Sequence, residues 1–105
     1  MLVAFSVAPS GTGKADGSVH DAVAAAVKIV RDSGLPNHTG SMFTEIEGEW
    51  DEVFAVIKAA TDAVAGYGSR VSLVIKADIR PGYSGEIDAK VERLEAALER
   101  GADAE

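Results

Sequence analysis

Two spacings of apolar residues alternate along this chain, and their order limits the folds open to it. The stretch "LVAFSVA", Leu2 to Ala8, is rich in strand formers and stops at Pro9. Val3, Phe5 and Val7 share one face, and the small residues Ala4, Ser6 and Ala8 share the other. A helical spacing follows in Val19, Val23, Val27 and Val30, supported by the alanines of "AVAAAV". Ser18 stands where a cap is needed, Asp21 where a capping-box acid would sit, and Gly34 and Pro36 stop the helix. Two short strands are expected at Asn37 to Ser41 and Phe43 to Gly48, with a tight turn near Ser41 and Met42; one longer bent strand also fits. Trp50, Val53, Ile57, Ala60 and Val64, with Phe54 beside them, form the next helical stripe. "RVSLVIKADIR" returns to strict alternation, with Val71, Leu73, Ile75, Ala77 and Ile79 on one side. After the turn "PGYSG", Ile87, Val91, Leu94 and Leu98 mark a last amphipathic helix.

The order is β-α-β-β-α-β plus a C-terminal helix. It predicts an α+β sandwich of the split βαβ, ferredoxin-like type. Both main helices should cover one face of a four-stranded antiparallel sheet, ordered fourth, first, third, second. Residues 1–100 form a single domain in this reading, and the tail 101–105, "GADAE", is expected to fray.

Composition narrows the function. A length of 105 residues with 47% apolar residues suits one globular core. The absence of cysteine excludes disulfides, thiolate metal sites and a cysteine nucleophile. A net charge of −7 argues against nucleic acid, which needs clustered Lys and Arg. No apolar run approaches the roughly 18 residues of a membrane span. "MLVAFSVAPS" lacks the basic start of a signal peptide, so a cytoplasmic location is expected.

The segment "FTEIEGEW" raises the sharpest chemical question. If Thr44 and Ile46 point inward, Phe43, Glu45 and Glu47 share the open sheet face. Ala4, Ser6 and Ala8 would leave a shallow trough there, with Lys76 and Arg80 on its far side. The plain interpretation is an exposed face with a Glu47–Lys76 ion pair, worth roughly 0–1 kcal/mol. The sharper one is a seat for a flat amino-heteroaromatic or cationic ligand, with a carboxylate accepting from an amine beside an aromatic ring. On the sharper reading, Glu47→Gln should weaken ligand binding more than it lowers stability.

"PSGTGKADGS" is not a nucleotide-triphosphate loop: Ala15 stands where a Ser or Thr is required, and the upstream glycine is missing. His20 and His38 have no carboxylate at metal-ligand spacing, so no metal and no cofactor are assigned.

In their order, "PSGT", "SVHDAVAAAVKIVRDSG", "GSMFTEIEGE", "SRVSLVIKADIR" and "DAKVERL" resemble the small thiamine-binding protein family along nearly the whole chain. The resemblance implies a ferredoxin-like fold assembled into homodimers or homotetramers, as dimers of dimers. It implies binding of thiamine or its hydroxymethyl-aminopyrimidine moiety without catalysis. Matched by position, Thr44 and Glu47 fall on the family's Thr-x-x-Glu-Gly segment, and Gly11 and Thr12 on its Pro-x-Gly loop. Ser18 falls on the helix-opening serine, and Lys76 and Arg80 on the last-strand pattern. The "GKADG" loop is longer than the family's usual one. Two rivals stand beside this reading: an oligomerising interaction domain with no small ligand, and an enzyme using Glu45 or Glu47 as a base.

Overall fold

A computed structural model describes residues 1–11 and 19–103. The elements are β1 (Leu2–Ser10), α1 (His20–Asp32), β2 (Asn37–Thr39), β3 (Thr44–Glu47), α2 (Trp50–Ala65), β4 (Arg70–Asp78) and α3 (Glu86–Asp103). The sheet is antiparallel in the order β2-β3-β1-β4, the arrangement expected. Two short strands, not one bent strand, follow α1, and the turn between them is closed by Gly40 N–H donating to the Phe43 carbonyl at 2.9 Å.

The alternation of β1 sets the layers. Val3, Phe5 and Val7 are buried, and Ile46 lies opposite Val3 on β3. Beneath them, α2 buries Val53, Ile57, Ala60 and Val64, and α1 buries Ala22, Ala26 and Val30. The valine stripe expected on α1 is therefore not its core face: Val30 is buried, but Val23 is exposed and Val27 half-buried. Alanines let α1 approach the core closely, and the bulkier valines turn aside. Trp50 is likewise not part of the buried stripe of α2. It is exposed and rests on Phe54, with ring centroids 4.8 Å apart.

Ser18 lies outside the described residues. The residue before α1 is Val19, whose side chain makes no cap hydrogen bond. At α2, Glu52 accepts from the Glu49 N–H at 2.7 Å and holds the first turn.

β4 departs most from its expected half-buried state. Its register places Leu73 and Ile75 on the helix side, opposite Val7 and Phe5, yet they are 39% and 38% exposed. The two main helices meet on β1, and α2 also reaches β4, where Val71 packs against the core; the rest of the edge strand is left without full cover.

α3 lies on the other sheet face. Its first turn sits over the end of β3, and Lys90 reaches back to Asp78 on β4. From Val91 on, its apolar stripe is exposed, with Leu98 at 60%. α3 runs to Asp103, three residues into the segment expected to fray. No helix among the described residues is long and apolar enough to cross a membrane.

Ile46 is fully buried between sheet and helices, whereas Leu94 is exposed on α3. Ile46→Ala should therefore cost about 2–5 kcal/mol in urea unfolding, and Leu94→Ala of the isolated chain within about 0.5 kcal/mol. Equal losses at both positions would contradict this placement of the core.

Candidate functional site

The residues singled out in the sequence fall in separate places. Thr12 and Ser18 lie outside the described residues. Gly11 is at the exposed end of β1 with φ +69°, a conformation that favours glycine, and a side chain there would strike Ser69. The other six divide among an open-face trough, the anchor of α3 and an edge cavity.

The trough forms where the β1 side chains are small. Glu45 and Lys76 lie in one row, flanking Ala4 from β3 and β4. Leu2, Ala4, Phe43, Glu45, Lys76, Asp78 and Lys90 enclose about 240 Å³. Glu45 also approaches His38, with Oε1 and Nδ1 3.8 Å apart. The Asp78 carboxyl is held below its ordinary 3.8, first by the hydrogen bond from Lys90 and then by the Lys90 charge. Arg80 and Lys76 add to that effect, and burial opposes it.

The expected Glu47–Lys76 ion pair does not form. Glu47 sits one row further along, beside Leu2, and is only 4% exposed. Its two oxygens accept the backbone N–H groups of Glu86 at 2.9 Å and Ile87 at 3.2 Å. Those N–H groups belong to the first turn of α3, where no intrahelical acceptor exists. A carboxylate there also meets the positive end of the helix dipole. Glu86 is itself buried, and Arg93 pairs with it at 2.5 Å. Arg80 stacks on Tyr83, 3.5 Å from the ring centre, in the turn that leads into α3. Glu47 and Arg80 thus both serve the anchoring of this helix. The sequence separation of Glu47 from Glu86 hid this role, since no local pattern links the two.

The edge cavity was not foreseen. It encloses about 170 Å³ between α1, β1 and the β2–β3 turn. Val23, Ala26 and Val27 form one wall, and Met42, Phe43 and Thr44 another. Its origin lies in unequal strand lengths. The β1–β3 ladder ends at Phe5 opposite Thr44, while β1 continues to Ser10. Met1 and Gly48 exchange both backbone hydrogen bonds, at 3.0 and 3.1 Å. Alternation from that pair turns the N–H and C=O of Val7 toward the space beyond Thr44. The valines that left the core of α1 line the same space. Their helical spacing was visible in the sequence, but which way they faced was not.

A family model described as "Thiamine-binding protein" matches residues 3–95. A UPF0045 protein of Mycobacterium bovis is 50% identical over 101 residues, spanning 95% of this chain and 96% of its own. A UPF0045 protein of Synechocystis is 36% identical, over 94% of this chain and 80% of its own. Among solved structures, a domain of unknown function, DUF77, from Bacillus cereus superposes with a TM-score of 0.75 at 35% identity, covering 86% of this chain and 85% of its own. A candidate thiamine biosynthesis or salvage protein of Thermotoga maritima gives 0.71 at 22% identity, over 87% and 96%, a likeness of fold alone.

Two predictions follow from the anchor. Glu47→Gln replaces one acceptor oxygen by an NH₂ group facing backbone N–H groups. It should cost about 1–3 kcal/mol in urea unfolding, with faster amide exchange at Glu86 and Ile87. Unchanged exchange at those two amides would refute the capping role. The Asp78–Lys90 pair has a folded carboxyl value below the unfolded one. Its contribution is therefore whole above the ordinary value of 3.8 and is lost as pH falls through the depressed value. An NMR titration of α3 amides should show that acid transition, and Lys90→Met should shift it upward.

Proposed function

This chain belongs to the thiamine-binding protein family, and we propose that it binds the aminopyrimidine ring of thiamine in the edge cavity, without turning it over. The observation that carries this reading is the conjunction at that cavity. A helix directs Val23 and Val27 into it, and the uncovered part of β1 directs the Val7 N–H and C=O toward it.

Size favours one ring. A cavity of about 150 Å³ accepts benzene, and this one has about 170 Å³. A six-membered ring fits; a whole thiamine does not. An aminopyrimidine carries a donor and an acceptor side by side, which suits pairing with a strand edge. The apolar walls would cover its faces, and the Thr44 hydroxyl lies at the rim.

The thiazolium would then lie outside, past Phe43. That residue borders both the edge cavity and the trough holding Glu45. An aromatic face and a carboxylate are suitable neighbours for a cation. Lys76 and Lys90 form the far wall of the trough and would limit how deep the cation can go. In this reading Phe43, Thr44 and Glu45 touch ligand, and Glu47 and Arg80 act through α3.

A second reading has its own observation: β4 leaves apolar residues exposed on both of its faces. A self-associating domain would cover them, and such association is compatible with ligand binding.

Calorimetric titration tests the first reading. Thiamine and the hydroxymethyl-aminopyrimidine should both bind with micromolar affinity, about −8 kcal/mol. Val27→Phe should abolish binding of both by filling the cavity. Phe43→Ala should weaken thiamine roughly tenfold while affecting the fragment less. Absence of heat with both compounds, from folded and ligand-free protein, would overturn the proposal.

A further inference from the structure

Two opposite charges on the open sheet face stand in one row and do not meet. Glu45 on β3 and Lys76 on β4 both lie beside Ala4 of β1. Their Cα atoms are two strand spacings apart, about 10 Å. Glu45 instead approaches His38 on β2, the strand on the side of β3 away from β1. Among the described residues Lys76 makes no ion pair and no hydrogen bond. The methyl group of Ala4 leaves the space between the two charges open, in a trough of about 240 Å³.

The other two charges of the trough neutralise each other. Lys90 of α3 donates to Asp78. The Asp78 carboxyl is held below its ordinary value first by that hydrogen bond and by the Lys90 charge, and least by Lys76. What remains is a carboxylate beside the Phe43 ring at one end of the row and an unpaired ammonium at the other. Such a pair suits a ligand that carries a cation and an anion a short chain apart.

We propose that the trough takes the phosphorylated form of the ligand, as a phosphate monoester seated on Lys76 with Lys90 beside it. The inference rests on the proposed binding of thiamine and names the form that is bound. With the aminopyrimidine in the edge cavity and the thiazolium at Phe43 and Glu45, the hydroxyethyl arm of the thiazolium extends across Ala4. Four single bonds of about 1.5 Å each place an ester phosphorus about 5 Å from the ring. That is half the width of the row, within reach of an ammonium on a flexible four-carbon stem. A cavity of about 150 Å³ holds benzene, so the trough has room for more than a five-membered ring.

Charge fixes the direction of such a ligand. The lysines repel the thiazolium and attract the phosphate, and Glu45 does the reverse. A phosphate monoester carries about −1.5 to −2 charge at neutral pH and three acceptor oxygens. Lys76 offers three donors, and Lys90 keeps two after its bond to Asp78. Charge-assisted hydrogen bonds of this kind are roughly twice as strong as neutral ones.

Calorimetric titration of the full chain with thiamine and with thiamine monophosphate tests this, with circular dichroism confirming that each variant is folded. Lys76 is exposed, so replacing it leaves the core untouched. The monophosphate should bind about tenfold more tightly than thiamine at low salt, and the advantage should shrink as salt is raised. Lys76→Met should weaken the monophosphate and, by removing a like charge, tighten thiamine, so that the ratio of affinities falls to about one or below. Lys76→Arg should keep the preference. Absence of binding by either compound would overturn the thiamine reading itself. A monophosphate that binds no more tightly than thiamine would overturn the phosphate seat alone. A preference that survives in Lys76→Met would overturn the assignment to Lys76.

Discussion

Everything in this molecule is referred to β1. It is the longer of the two interior strands, nine residues against four in β3, and it pairs with β3 on one side and β4 on the other. Val3, Phe5 and Val7 are buried among α1, α2 and the neighbouring strands, and removing their apolar surface from water is the main favourable contribution to the fold. The alternate residues are small, so the opposite face is shallow over the same strand. Because the side-chain period is two, a slip of one residue would exchange these faces and expose the core. The burial of Val3 and Phe5 thus fixes where Glu45, Glu47, Lys76 and Asp78 stand.

From that frame α3 is placed by a polar contact and not by burial. Its apolar stripe beyond Ile87 is largely exposed, so packing cannot hold it. The Glu47 carboxylate does so by satisfying two N–H groups at its start, assisted by Lys90 on Asp78. An acid buried at the end of a strand would be costly without such partners. Here it has two, and the helix it anchors forms part of the wall of the trough.

The edge cavity and the outer edge of β4 share one cause, which is unequal reach. β3 is four residues long and β1 is nine, so β1 outlasts its partner and leaves space beside Val7. The two main helices cover less width than four strands, so β4 is covered only in part, at Val71, and leaves Leu73 and Ile75 exposed.

Element order, the antiparallel sheet and its strand sequence were legible in the chain because periods of two and 3.6 report which side of each element meets the core. So were the turn after β2 and the inward parity of Thr44 and Ile46. Parity is local, and Ile46 could not be polar where Val3 faces it. The trough residues Glu45 and Lys76 were legible for the same reason. Other features depended on distances that no local pattern encodes. Val23, Val27 and Val30 show a helical spacing, but alanines lie one position away on α1, and only contact with α2 and the sheet decides which set is buried. Glu47 reads as one more acid on an open face until the backbone of Glu86 arrives from 39 residues further along. Local spacing therefore determined the elements and the faces they offer. The tertiary structure alone decided which faces were covered, because burial depends on what the rest of the chain brings within a few ångströms.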